Sequence, residues 1–221
     1  MSRKSNKNSH LLVEGKNDQH VIWALCEMHQ VPETFDVIVP GAVDDVENGK
    51  IKGGGIGALL EDIPIRLKEP GLQSLGIIID ADEDVQARWN SIRDRLQRVG
   101  YEVPAQPVQN GFILALPNRP QVGLWVMPDN QLPGMLEDFV SHLIPPKDRL
   151  KPIAEKTLQS IEKKKLNLYR SHRSKALIHT WLAWQEMPGM PIGQAITAQV
   201  LLHNQPLANR FVDWLRNLFE S

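Results

Sequence analysis

The chain has 221 residues, 25 basic against 26 acidic side chains and 42% hydrophobic content, a composition suited to one globular domain with an appendage. Its single cysteine, Cys26, excludes an internal disulfide framework and fits a reducing compartment. No stretch approaches the roughly 20 apolar residues of a membrane span, and the polar opening lacks an apolar signal core; the expectation is a cytoplasmic protein without a membrane partner, led by a flexible N-terminus over residues 1–9.

The charge is unevenly spread. Residues 1–146 carry 13 basic against 20 acidic side chains, and residues 147–175 carry 10 against 3. An acidic body followed by a basic segment is compatible with metal binding in one place and phosphate binding in another. A solvated helix face is the other reading of the basic segment.

Residues 10–13, His-Leu-Leu-Val, form a short apolar run that enters Glu14-Gly15-Lys16-Asn17-Asp18. The run predicts a strand, with Gly15 at a sharp turn and Asn17 or Asp18 capping a helix over 18–29. Glu14 and Asp18 are one helical turn apart. Residues 35–39 predict a second strand. The glycine-rich stretch 41–57 follows as a loop: either a plain flexible connection or a phosphate cradle built on backbone N–H groups. A helix over 56–68 comes next.

Residues 75–84, Leu-Gly-Ile-Ile-Ile-Asp-Ala-Asp-Glu-Asp, hold the centre of the chain. The isoleucine run is short and continuous, which predicts a strand buried on both faces of a parallel sheet. Its carboxyl end delivers Asp80, Asp82 and Asp84 to the edge where open α/β sheets place their ligands. Clustered carboxylates repel one another unless a cation lies between them, and hard oxygen ligands suit magnesium or manganese. Capping of the next helix, over 85–99, is the competing use of such acids.

Residues 111–116 and 122–127 predict a β-hairpin added to the sheet. Asp129-Asn130 and Glu137-Asp138 then surround a turn and a helix start. Two readings of these acids stand: turn and helix capping, or a second metal position beside Asp80. From residue 146 the pattern is helical, with helices predicted at 147–166, 173–186, 192–203 and 206–219. Trp181, Trp184 and Trp214 sit among aliphatics and predict a helical core. The fold class expected is α/β, with residues 10–145 as the sheet domain and 146–221 as a helical region packed on it.

Residues 11–18, Leu-Leu-Val-Glu-Gly-Lys-Asn-Asp, together with residues 77–82, Ile-Ile-Ile-Asp-Ala-Asp, resemble the Toprim domain of topoisomerases, bacterial primases, small ribosomal-RNA maturation nucleases and the overcoming-lysogenization-defect (OLD) nucleases. The resemblance implies a compact sheet of about four parallel strands between helices. It also implies a magnesium site on Glu14, Asp80 and Asp82, with Asp84 where many members carry a further acid. In the OLD branch a Glu-x-x-x-acid pair helps bind metal, which Glu14 and Asp18 match in spacing. A downstream lysine there stabilises transition-state charge, a role that falls on Lys175. The whole chain is similar to stand-alone Toprim-related proteins of this length, through residues 124–130, 133–139 and 181–185.

The function expected is Mg²⁺- or Mn²⁺-dependent, nuclease-like processing of nucleic-acid phosphodiesters. Glu14, Asp80, Asp82 and Lys175 are the catalytic candidates. Glu14, Asp18, Asp80, Asp82, Asp84, Asp129 and Glu137 are the metal candidates, and residues 147–175 the nucleic-acid contact. A non-catalytic, metal-binding scaffold is the alternative. With Tyr101 and Tyr169 as its only tyrosines and no DNA-gating domain, the chain does not read as a topoisomerase.

Overall fold

In the computed structural model, residues 7–45, 50–52 and 54–220 are described. The lead-in expected for residues 1–9 lies outside the described residues up to residue 6, and Ser9 already opens the first strand. Strand β1 (Ser9–Leu12) feeds helix α1 (Lys16–Met28), and β2 (Asp36–Ile38) follows. A short antiparallel ribbon, β3 (Val43–Asp45) and β4 (Lys50–Lys52), stands where a loop was expected; residues 46–49 and 53 lie outside the described residues. Helix α2 (Gly55–Arg66), β5 (Ser74–Asp80) and α3 (Val85–Arg98) come next, then β6 (Phe112–Leu114) and β7 (Gln121–Met127).

The main sheet has five strands in the order β2-β1-β5-β7-β6. Four are parallel, and β6 pairs antiparallel with β7 at the edge. The expected hairpin is there, with Phe112 opposite Leu124 and Leu114 opposite Val122. β7 is itself the fourth parallel strand, paired with β5 from Ser74↔Gln121 to Asp80↔Met127, and β6 alone is the addition. The reason is that α3 carries the chain back across the sheet before β7 begins, as a parallel pairing requires.

β5 is covered on both faces, as its isoleucine run demanded. Leu75, Ile77 and Ile79 pack with Leu59 and Ile63 of α2 and with Trp89, Ile92 and Leu96 of α3. Ile78 points the other way, into a core with Leu11, Val21, Trp125 and Phe211. Fully burying each such side chain contributes about 1.5–3 kcal/mol.

The chain ends in α4 (Leu136–Ser141), α5 (Lys151–Lys163), α6 (Arg173–Ala183), α7 (Ile192–Thr197) and α8 (Pro206–Phe219). Their apolar residues Phe139, Ile178, Trp181, Ile196, Phe211 and Trp214 belong to the same core as Leu11 and Ile78. Most of these helices are shorter than the periodicity predicted. α7 stops at Thr197 because Gln199 turns at φ 58°, letting Leu201 N–H donate to Ala195 O at 2.9 Å. Trp181 and Trp214 are buried as expected, whereas Trp184, just past α6, is 39% exposed. Among the described residues no helix is long and apolar enough to cross a membrane.

Candidate functional site

β1 and β5 are parallel neighbours, so the residues leaving their carboxyl ends meet. Glu14 follows β1 and reaches sideways, where its Oε1 accepts from Asp80 N–H at 2.9 Å. Asp80 closes β5, and its Oδ1 accepts from Leu136 N–H, also at 2.9 Å, tying the strand end to the first turn of α4. Glu137 is the next residue of that turn and is 3% exposed. Lys175, in the first turn of α6, brings Nζ to 3.4 Å from Glu137 Oε1. The contact is set by the neighbouring pair, in which Ser174 Oγ donates to Asp138 Oδ1 at 2.5 Å and locks α6 against α4. Asp18, in the first turn of α1, is 8% exposed. Gly15 leaves room for it, since a Cβ there would lie 3.2 Å from Asp18 Oδ2.

These side chains surround a cleft of about 350 Å³ whose floor includes Gly15 and Asn17. Burial pushes the Asp80 carboxyl up to about 9, and the carboxylates of Asp18, Glu14 and Glu137 add to the rise; the Leu136 N–H opposes it. Burial likewise lifts Asp18 to about 7, helped by Glu14 and Glu137 and opposed by backbone N–H groups of Asp18 and Gly15. Glu14 is raised as well, chiefly by burial, while the Asp80 N–H and the Arg88 guanidinium pull it down. Four carboxyl groups face two lysines in this cleft, Lys16 and Lys175, and the raised Asp80 and Asp18 relieve the imbalance by holding protons.

Asp82 stands beside this group but faces outward. Its backbone, at φ 51°, exchanges two hydrogen bonds with Gly134, N–H to Gly134 O at 2.8 Å and O from Gly134 N–H at 2.7 Å. Its carboxylate pairs with the Arg88 guanidinium. It lines a second, larger cleft of about 930 Å³ with Arg88, Gly134, Asp138, His172 and Ser174.

Besides Asp82, two further expected metal candidates are not drawn into the group. Asp84 caps α3, accepting from Ala87 N–H at 2.9 Å. Asp129 accepts from Gln131 N–H at 3.0 Å and Leu132 N–H at 2.8 Å, an Asx turn, and lines neither cleft. Asn130 is buried for a structural reason, its Oδ1 receiving Val126 N–H at 2.7 Å. Five candidates therefore meet around one cleft: Glu14, Asp18, Asp80, Glu137 and Lys175. Arg88 was missed, since in sequence it is one more basic residue on a charged helix; its only signal is its place one turn beyond the cap at Asp84.

The donor chemistry of Glu14, Asp18, Asp80 and Glu137 fits a hard divalent cation. Their side chains do not yet share a ligand point: among the described residues no group of three His, Cys, Asp or Glu side chains forms a ready metal position. Glu14, Asp80 and Glu137 each have one oxygen engaged and one remaining.

A family profile described as a protein of unknown function, DUF3226, matches residues 8–220, nearly the whole chain. The chain belongs to the DUF3226 family. The match runs from β1 through α8 and so includes all the residues named above. No curated protein and no solved structure matches this DUF3226 chain.

The glycine-rich stretch also has a definite use in this DUF3226 protein. Gly55 N–H donates to Glu14 O at 2.9 Å, seating the start of α2 against the site. Gly54 has φ 91°, and a Cβ there would lie 3.2 Å from Glu14 O and 3.3 Å from Val39 Cγ1. Gly55, at φ 81°, has nothing within 4 Å of the same position. Gly54→Ala is therefore expected to lose about 1–3 kcal/mol and Gly55→Ala nearer 1 kcal/mol. Urea unfolding of the two variants checks the order, and only Gly54→Ala should disturb Glu14.

Proposed function

We propose that this DUF3226 protein is Toprim-related and processes phosphodiesters of nucleic acid with Mg²⁺ or Mn²⁺, in the manner of a nuclease. The observation that supports the reading best is the meeting of Glu14, Asp18, Asp80 and Glu137 at the carboxyl edge of parallel strands, with Lys175 at the rim. Glu14, Asp80, Asp18 and Glu137 would hold the cation, with Asp82 as a further ligand once turned inward. When bound, such an ion supplies a Lewis acid for a phosphoryl oxygen and an acidified water.

The other tasks belong to the chain. Lys175 is half exposed in the cleft wall and sits where developing negative charge can be stabilised. Asp18, with its carboxyl at about 7 before any ion binds, would give up its proton to serve as a ligand. The basic segment 147–175 ends at Lys175 and would carry the strand's phosphates to the cleft. The single thiol, Cys26, is pushed up to about 12 by burial and takes no part in this chemistry.

A non-catalytic scaffold is the second reading. It is favoured by the ion pairs that already partner Glu137 with Lys175 and Asp82 with Arg88. Incubation with single- and double-stranded DNA and RNA in Mg²⁺ or Mn²⁺ separates the two. The nuclease reading expects cleavage that falls at least about 100-fold in both Asp80→Asn and Lys175→Ala. Equal activity in Asp80→Asn would refute the assigned site, and absence of cleavage with metal binding intact would leave the scaffold.

A further inference from the structure

Arg88 lines the larger cleft beside Asp82. It holds the Asp82 carboxylate, and its positive field reaches Glu14, whose carboxyl it pulls down. Ser91, His172 and Ser174 line the same cleft. The two clefts have no lining residue in common, but on three segments consecutive residues line one each: Asp80 and Ala81, Leu136 and Met135, Lys175 and Ser174. A ligand in the larger cleft would therefore sit one residue along the chain from Asp80, Leu136 and Lys175.

The Asp82–Arg88 pair has one fixed and one movable member. The two Gly134 hydrogen bonds pin Asp82's backbone. Arg88 stands on α3 at the end of a long, partly exposed side chain. It is also near the positive end of that helix, where a cation is disfavoured, so its attraction to Asp82 is what holds it there. Most other charges facing Arg88 across the cleft are already occupied. Asp84 accepts from Ala87 N–H, and Asp138 accepts from Met135 N–H and Ser174 Oγ. Glu83 is exposed.

We propose that Arg88 is the protein's own counter-ion for the metal-facing acids: a divalent cation displaces it from Asp82, and the freed guanidinium turns into the larger cleft to bind a phosphate of the substrate. The inference rests on the metal reading above. It makes Arg88 a switch between an unloaded state, in which Asp82 is masked, and a loaded state, in which cation and phosphate are held together. Guanidinium suits the second role because its forked donors match phosphate oxygens. Metal and substrate then bind with positive coupling, each favouring the state in which Arg88 has left Asp82.

The test is Arg88→Gln, with Arg88→Lys as the charge-retaining control. Mn²⁺ affinity is measured by calorimetry, and affinity for a labelled single-stranded oligonucleotide by polarisation, with Ca²⁺ supplied as a non-catalytic ion. Arg88→Gln should bind Mn²⁺ about 2- to 5-fold tighter, the size expected for removing a competing, partly exposed ion pair. It should also bind the oligonucleotide at least about 10-fold more weakly in Ca²⁺. Arg88→Lys should restore most of the Mn²⁺ behaviour and only part of the oligonucleotide affinity. Unchanged or weaker Mn²⁺ binding in Arg88→Gln, or unchanged oligonucleotide binding, overturns the proposal. If wild type itself binds no Mn²⁺, the metal reading falls with it; if wild type binds and Asp80→Asn does not, only the role of Arg88 is in question.

Discussion

In metal-free buffer at pH 8, Asp80→Asn protein is expected to unfold at a higher temperature than wild type. Replacing a site carboxylate usually removes something useful, but here the carboxylate is a burden. Asp80 titrates at about 9 in the folded protein, above its ordinary value of 3.8. The folded state therefore binds its proton more tightly than the unfolded state does. That contribution to stability is fully present below about pH 4 and is lost as pH rises through 9. Asp18 behaves in the same sense, its share running out by about pH 7. Asparagine is neutral throughout, and its side-chain oxygen can still accept from Leu136 N–H. The gain at pH 8 should exceed about 1 kcal/mol, or roughly 2–4 °C in a chain of this size, and should vanish near pH 4. Saturating Mg²⁺ should reverse the order, because binding at 100 times Kd stabilises wild type by about 2.7 kcal/mol and the variant hardly at all. Calorimetric melts across pH, with and without Mg²⁺, read both effects. An Asp80→Asn protein less stable than wild type at every pH would show that the carboxylate is not under strain.

Gly123→Val should be among the most damaging single changes away from the site. Gly76 and Gly123 are paired in register on β5 and β7, and together they open a shallow groove in the sheet. α8 lies in it. A Cβ at Gly123 would stand 2.6 Å from Leu218 Cδ2 and 3.1 Å from Trp214 Cζ2; one at Gly76 would stand 2.5 Å from Leu11 Cδ1. The strand cannot retreat, because the opposite face is filled by α2 and α3. The helix is anchored by Trp214, whose Nε1 donates to Phe112 O at 3.2 Å. Overpacking should therefore cost about 3 kcal/mol, lowering Tm by roughly 6–12 °C. Leu218→Ala in the same chain should recover part of the loss, since it vacates the atoms that valine would strike. No recovery in the double variant would mean that α8 does not rest on these glycines.

The periodicity of β5 and the spacing of its acids from Glu14 were readable in sequence because they depend on local pattern. An apolar run ending in a carboxylate can occupy only the end of a buried strand, and two such runs with helices between them pair in parallel. The sheet edge, the partnership of Glu14 with Asp80 and the helical cover all follow. What could not be read depends on which partner each carboxylate finds. Asp80, Asp82 and Asp84 alternate in sequence, yet Asp80 faces the cleft, Asp82 faces Arg88 and Asp84 caps α3, because the chain turns through φ 51° between them. Glu137 and Asp129 looked equivalent, but one is carried inward by α4 and the other closes its own turn. Lys175 is 95 positions from Asp80, and only the packing of α6 on α4 brings it near. The parallel placement of β7 was hidden by the short turn before it, which reads as a hairpin whichever strand belongs to the sheet's interior.

Titration of Mn²⁺ into wild type and Asp80→Asn at pH 7, in two buffers of different ionisation heat, tests the carboxylate group most directly. Binding to wild type should release between about one and two protons per ion, about one from Asp80 and the rest chiefly from Asp18, because both must ionise to serve as ligands, and Asp80→Asn should lose at least about 100-fold in affinity together with the Asp80 share of that release. A wild-type protein that binds no Mn²⁺, or an Asp80→Asn protein that binds it equally well with the same proton count, would contradict the reading of Glu14, Asp18, Asp80 and Glu137 as a cation site.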